Sequence, residues 1–423
     1  MKRRSPATLL LVLLLVACTS PAPAKPDAGA SKVLVIGAIY PLSGPQAQGG
    51  REELLGVRTA LALARKEGVA RARDIDLHVI DAQTPEAARA AVDRLIDSYH
   101  VKLIIGTYGS TLSAAAAARA DERKTIYWET GAVADEVTLH RHYVFRTVAT
   151  GSTLGRMAAT FTAAVLMPAE KVVPADARVV ILHTNDTYGM SVATGEAAEA
   201  RSLGIRAPAE VAYDPHAYDP VKVADQVLAL NPDYLWDVSY IDDGVALWRE
   251  INGRHPSLRG AIGTSSAFCM PDFQRRLGND ATGVFAADKP DEVVSSAALS
   301  PAGRALLAEA IAEYTALGGD RPMSIPAVAG FVGGWTLFHE VLAQFQGNPR
   351  VEDIRTAAVN VDVPVGDAIN GGGVRFAPPG EPDAGQNRRA VSVVGQWQAG
   401  GAMRVVFPGP FATGTPVFSA SRP

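Results

Sequence analysis

The sequence predicts an α/β protein of two lobes, each a parallel sheet flanked by helices. Three observations carry this expectation. Short apolar runs rich in Val, Ile and Leu alternate with helical patterns, which is the grammar of βαβ units. Many runs stop in polar, Gly-containing turns, and a parallel sheet gathers such turns at its carboxyl edge, where open α/β sheets bind ligands. The series starts afresh after Ala149-Thr150-Gly151-Ser152, so the pattern occurs twice.

The first strand is expected over residues 33–38, running into the turn formers Tyr40-Pro41-Leu42-Ser43-Gly44-Pro45. Residues 51–66 read as a helix that Gly68 closes. A strand follows at 75–81, and Thr84-Pro85-Glu86 opens a helix with an N-cap, a proline at the first position and an early acid. Residues 104–138 form the densest stretch: strands near 101–106 and 125–128 end in Thr107-Tyr108-Gly109-Ser110-Thr111 and Glu129-Thr130-Gly131-Ala132, with an Ala-rich helix between. A strand at 143–147 ends the first series. The second series has helices near 153–166, 187–203, 220–230 and 242–251, and strands near 179–183, 206–213, 234–238 and 259–263. Its turns include Thr184-Asn185-Asp186-Thr187-Tyr188-Gly189 and Thr264-Ser265-Ser266. Further on, helices are expected at 302–317, 325–345 and 353–359, and a terminal β pair at 374–377 and 391–398.

The 423 residues are 48% hydrophobic and 20% charged, ordinary for a globular chain and enough for two or three domains. A net charge of -4 without a basic face argues against a nucleic-acid partner. At the start, Lys2, Arg3 and Arg4 precede the apolar run 9–16, which is too short to span a bilayer and suits a secretory signal. Leu15-Val16-Ala17-Cys18 resembles the bacterial lipobox. Residues 1–17 are therefore expected to be a lipoprotein signal, Cys18 the lipidated residue and 18–31 a tether, which predicts an extracytoplasmic, membrane-anchored protein. With Cys18 acylated, Cys269 has no partner for a disulfide and is expected to be buried and inert.

Catalytic motifs fail on inspection. Residues 44–51 have the glycines of a phosphate loop but lack its Lys-Ser/Thr pair. His339-Glu340 begins a zinc-protease helix, but Ala343 stands where the second His is needed. Gly151-Ser152-Thr153-Leu154-Gly155 is out of register for a nucleophile elbow. Asp242-Asp243 reads as two carboxylates at a helix N-terminus. The expectation is a binding protein, with no catalytic residues, metal or cofactor. Aromatics at strand ends, Tyr40, Tyr108, Trp128, Tyr188 and Tyr240, join the polar turns as candidate ligand contacts.

Pro41-Leu42-Ser43-Gly44-Pro45, Gly131-Ala132 with Glu136-Val137-Thr138, Phe145-Arg146-Thr147, Tyr188-Gly189 and Gly385-Gln386-Asn387 occur in this order. They resemble the motifs of the branched-chain amino acid binding protein family of ABC transporters over nearly all of residues 33–408. The resemblance implies the type I periplasmic binding fold: two Rossmann-like lobes joined by a three-crossover hinge and closing on a small ligand. It implies residues 32–149 and 288–360 in lobe one, and 150–287 and 361–412 in lobe two. It implies ligand contacts from Tyr108, Gly109, Ser110, Thr130, Ala132 and Val133 in lobe one, and from Tyr188, Tyr240 and Ser265 in lobe two. Ser110 fits a role in holding a ligand carboxylate. Val133 replaces the family's Thr, and Ser265 stands near the family's ammonium-binding acid, with Glu129 and Asp243 as possible substitutes. With an apolar, aromatic lining, this points to a less zwitterionic ligand: amino acid-like, an amide or an aromatic acid. The implied partner is an ABC permease; the alternative is a ligand-sensing receptor on the same fold. Truncation of Tyr188 is expected to weaken binding without unfolding the protein.

Overall fold

The computed structural model describes residues 33–254 and 256–418. The expected signal, the lipidation at Cys18 and the tether lie outside the described residues.

The first sheet has five parallel strands, β1 (Leu34–Tyr40), β2 (Ile75–Asp81), β3 (Leu103–Gly106), β4 (Ile126–Glu129) and β5 (Val144–Arg146), in the order β2-β1-β3-β4-β5. Helices α1 (Ala47–Lys66), α2 (Pro85–Tyr99) and α3 (Ser110–Glu122) connect them. Thr84 Oγ1 caps α2 by accepting from the Ala87 N–H, as its sequence signature predicts. The chain then crosses to a second sheet. Helix α4 (Gly151–Phe161) runs through a π turn into the short α5 (Met167–Ala169). Next come β6 (Val179–Thr184), α6 (Thr187–Ser202), β7 (Ala209–Tyr213), α7 (Pro220–Ala229), β8 (Tyr234–Val238), α8 (Ile241–Gly253), β9 (Gly260–Thr264), α9 (Pro271–Leu277) and β10 (Phe285–Asp288). After β10 the chain returns to the first lobe with α10 (Pro301–Ala316), α11 (Ile325–Trp335) and α12 (Val351–Val359), whose apolar faces share one core with the first sheet. It crosses a third time to β11 (Val393–Gln398) and β12 (Ala402–Phe407). The second sheet reads β12-β11-β10-β9-β8-β6-β7, parallel except for its β10-β11-β12 edge.

Strand order reverses between β1 and β3 in one sheet and between β6 and β8 in the other. Such switch points leave a crevice beyond the strand ends. Tyr40 and residues 107–110 lie at the first, and residues 185–188 with 239–240 lie at the second.

Three elements depart from the sequence expectations. β10 is missing from them, because its run of Phe285, Ala286 and Ala287 is short and weakly β-forming. The partner of β11 is β12 rather than residues 374–377, because Gly400 and Gly401, at φ 87 and 77, make a tight hairpin after β11. The expected partner makes only isolated bridges, Val374 with Val363 and Phe376 with Asn387. Residues 361–376, assigned from sequence to lobe two, pack on lobe one. Val361, Ile369, Val374 and Phe376 are buried in its core, and the Phe376 ring meets Trp128 and Phe145 edge-on at 5.3 and 5.2 Å.

Helices α1 and α11 meet at backbone contact. A methyl on Gly56 would overlap the Ala327 carbonyl, and one on Gly330 would overlap the Glu53 carbonyl. This close packing holds Glu53, on the buried stripe of α1 with Gly56, Val57 and Ala60, beneath the first switch point.

Lobe two buries two further acids. Glu196 on α6 accepts from Thr264 Oγ1 at 3.1 Å through one oxygen, and its other oxygen has no partner among the described residues. Asp237 lies inside β8. Burial pushes both carboxyls up to about 8, so both stay mostly protonated toward neutral pH in the folded protein. Unfolded carboxyls ionise near pH 4, so the unfolded chain gives up protons that the folded one keeps. The contribution of these two groups to stability is therefore full at pH 4 and lost as pH rises to about 8. The urea midpoint should fall over that window, and Glu196→Gln should flatten the fall. A variant whose pH profile parallels the wild type would contradict this assignment.

Candidate ligand-binding cleft

The first wall begins where β3 ends. Gly109, at φ 92, is the N-cap of α3, and Ser110 opens the helix. The buried Ser110 hydroxyl accepts from the N–H groups of Val133 and Ala134 at 3.3 and 3.1 Å. One strand over, β4 ends in Glu129, which is fully buried. Its Oε1 accepts from the N–H groups of Gly131 and Ala132, both at 2.7 Å. Its Oε2 accepts from the Thr107 N–H at 3.2 Å, from Tyr127 Oη at 3.3 Å and from Ser113 Oγ. Burial pushes this carboxyl up, while the Ser113 and backbone bonds pull it down. Behind it, the Tyr40 and Thr130 hydroxyls are 3.0 Å apart, and Thr130 donates to Glu53 Oε1. Glu53 is 0% exposed, and its Oε2 has no hydrogen-bond partner among the described residues. That oxygen lies so close over Gly131 that a methyl there would overlap it. Burial, then the Glu129 charge, push the Glu53 carboxyl well up.

The second wall is built on α6, α8 and the turn after β9. Asp186 caps α6 by accepting from the Gly189 N–H at 3.0 Å, and its Oδ2 takes the Tyr240 hydroxyl at 2.6 Å. Asp243 accepts from the Tyr240 N–H at 3.2 Å, the helix-N-terminal role its sequence position predicts. Burial pushes its carboxyl up to about 6. The Tyr188 hydroxyl donates to the Thr264 carbonyl, and the rings of Tyr188 and Tyr240 are 5.2 Å apart. Ser265 and Ser266 follow at φ 60 and 41, a left-handed pair that turns the chain back toward the cleft. At the end of β10, Asp288 receives the Cys269 thiol at 2.8 Å and the Lys289 ammonium at 3.1 Å, all three buried.

The lobes meet directly. Gln48 Nε2 donates to Asp272 at 3.3 Å, Thr111 Oγ1 to Asp186 at 3.4 Å, and the Asp135 N–H to Ser191 Oγ at 3.0 Å. Between these contacts a cavity of about 10 Å³ remains, lined by Glu53, Tyr108, Gly131, Ser265, Ser266 and Lys289 among others. A depression of about 360 Å³ elsewhere, between Leu306, Phe331, Trp335, Pro364 and Ile369, is larger. It belongs to lobe one alone and lies away from both switch points, so the small interlobe cavity is the better candidate.

The nine residues expected at the site fall into three groups. Tyr108 and Ser265 line the cavity. Val133 packs with Tyr188 and Tyr240 in an apolar seam across the lobes. The N–H of Ala132 and the hydroxyls of Ser110 and Thr130 are engaged within lobe one, while Gly109 shapes the turn. The expected apolar lining is corrected: the carboxyls of Glu53 and Asp288 and the ammonium of Lys289 make part of the wall polar. Sequence reasoning misses all three. For Glu53 the available signal is a carboxylate on the apolar stripe of α1. For Asp288 and Lys289 it is a charged pair closing a short apolar run.

The arrangement is that of a two-lobed solute binder. A family model described as a periplasmic binding protein matches residues 33–402, and the chain belongs to that family. It is a solute-binding protein of the ABC-transporter kind, and the family is one of extracytoplasmic binding proteins rather than enzymes. A Leu/Ile/Val-binding protein homolog 8 from Brucella melitensis is 28% identical over 366 residues, 86% of this chain and 88% of that protein. Among solved structures, the leucine binding protein LivK of Thermotoga maritima superposes with a TM-score of 0.73 at 19% identity, over 88% of this chain and 97% of that one. A solute binding protein of an R. palustris ABC transporter, in complex with 4-hydroxybenzoate, gives 0.71 at 16% identity, over 88% and 95%.

Proposed function

We propose that this protein is a lipid-anchored receptor outside the cytoplasm that captures a small organic solute between its lobes and delivers it to an ABC permease. One observation carries this reading: the switch points of both sheets face a common cleft, with Tyr108 from one lobe set against Ser265 and Ser266 of the other. The contacts of Gln48, Thr111 and Asp135 across the lobes are polar and the apolar seam of Val133 with Tyr188 and Tyr240 is small, so the lobes can part to admit a solute and close again over it. Anchoring rests on the lipobox-like run ending in Cys18. The relatives' names span aliphatic amino acids and an aromatic acid, so the solute is amino acid-like, an amide or an aromatic acid.

Thermal-shift screening of the purified protein tests the reading. A ligand at a hundredfold its Kd stabilises by about 2.7 kcal/mol, a shift of several degrees. At least one compound of these classes should produce it, and Tyr108→Ala should abolish it. Stabilisation that survives Tyr108→Ala would place the site elsewhere. Mass spectrometry of membrane-extracted protein should find an acylated Cys18, and an unmodified cysteine would remove the anchor.

A further inference from the structure

We propose that Lys289 anchors a carboxylate of the solute at the hinge end of the cleft, in place of the backbone donors of the turn 130–134, so that the protein selects carboxylic acids over their amides. The proposal rests on the cleft being the solute site and narrows the chemistry of that site.

The turn has little left to give an anion. Glu129 holds the N–H groups of Thr107, Gly131 and Ala132, and Ser110 holds those of Val133 and Ala134, which leaves the Ser110 hydroxyl proton. Lys289 is better supplied. It follows β10 on the second crossover, is 7% exposed, and lines the interlobe cavity with Glu53, Tyr108 and Ser265. It also borders a second gap of about 10 Å³, shared with Thr147 and Ala149 of the first crossover and Asn387 and Ala390 of the third. The residue therefore stands where the cleft meets the hinge. An ammonium carries three donors. Among the described residues its one partner is Asp288 Oδ1 at 3.1 Å, so two donors remain. Asp288 itself is filled, since Oδ1 also accepts the Lys289 N–H at 2.7 Å and Oδ2 accepts the Cys269 thiol.

Glu53 adds a donor to the same cavity. Burial and the Glu129 charge push its carboxyl well up, so it is protonated. Oε1 accepts from Thr130, which leaves the proton on Oε2, and Oε2 has no partner among the described residues. Gly131 keeps the space beside that oxygen open, since a side chain there would overlap it. A solute carboxylate can thus receive Lys289 through one oxygen and the Glu53 O–H through the other. Charge-assisted bonds of this kind are about twice as strong as neutral ones. A primary amide offers the ammonium one neutral oxygen and turns its NH₂ toward the Glu53 O–H, donor against donor.

Matched acids and amides separate the two chemistries. The probes are 4-methylpentanoate, 3-phenylpropanoate and benzoate with their primary amides, each titrated calorimetrically to millimolar concentration. In at least one pair the carboxylate should bind about tenfold or more tightly than its amide, a difference of about 1.4 kcal/mol. Lys289→Gln should erase that preference. Asp288→Asn combined with Lys289→Gln should do the same, and it avoids leaving Asp288 buried and unpaired if the single variant does not fold. Tighter binding of the amides, an undiminished preference in either variant, or no binding by any carboxylate would overturn the proposal. If amides bind more tightly and Tyr108→Ala abolishes their binding, the cleft reading stands and only the role of Lys289 falls. Binding indifferent to the changes at both Tyr108 and Lys289 removes the cleft reading as well.

Discussion

Glu129→Ala should lower the unfolding free energy by about 3–5 kcal/mol, the usual cost of removing one partner from a buried charged network. The carboxylate is fully buried and receives the N–H groups of Thr107, Gly131 and Ala132 and the hydroxyls of Ser113 and Tyr127. Alanine leaves all of these donors in a dry interior, where each unsatisfied group costs about 1–3 kcal/mol before relaxation. The three N–H groups belong to the turns after β3 and β4, so the loss also loosens the first wall of the cleft. Glu129→Gln keeps one acceptor oxygen but turns an NH₂ toward donors, and should fall between alanine and wild type. Urea denaturation of the three proteins checks the order. A loss below about 1 kcal/mol for the alanine variant would mean that water replaces the carboxylate without strain.

Tyr188→Ala should cost a similar amount, about 3–5 kcal/mol, as large-to-small changes of buried aromatics do. From sequence, Tyr188 is expected on the cleft wall, where truncation spares the fold. Its ring is instead 1% exposed, packed against Val133, Leu154, Val192 and Tyr240. Val133 comes from the other lobe, so the same cavity weakens closure as well as folding. Solute binding should therefore weaken together with stability. Tyr188→Phe keeps the packing and loses the hydroxyl's bonds, that to the Thr264 carbonyl among them, at about 1 kcal/mol each. Denaturation midpoints for the two variants separate the ring from the hydroxyl. Equal losses would show that the hydrogen bond dominates and that the packing argument is wrong.

The two-lobed α/β architecture is legible in the sequence because nearly every strand is a compact apolar run closed by a turn. The caps of α2 and α6 can be read directly from Thr84-Pro85 and from Asp186. The exceptions have physical causes. β10 is only Phe285-Ala286-Ala287-Asp288, held by its neighbours on either side rather than by its own propensity. The packing of residues 361–376 depends on Phe376 reaching Trp128 and Phe145, contacts too distant along the chain for any local pattern to encode. At the cleft, strand ends locate the right turns, since a sheet edge is a property of the local pattern. They do not reveal which polar groups remain open. That depends on long-range partners: Ser110 with the turn 23 residues away, and Thr130 with Glu53 77 residues away. Glu53 escapes notice because it stands mid-helix, where a charged residue ordinarily faces solvent.

A crystal structure of the protein with the most stabilising solute tests the central claim, an interlobe site, most directly. The account predicts the solute between Tyr108 and Ser265, with the Glu129 bonds to Gly131 and Ala132 unchanged. A solute seated instead in the depression beside Trp335 and Pro364 would contradict it.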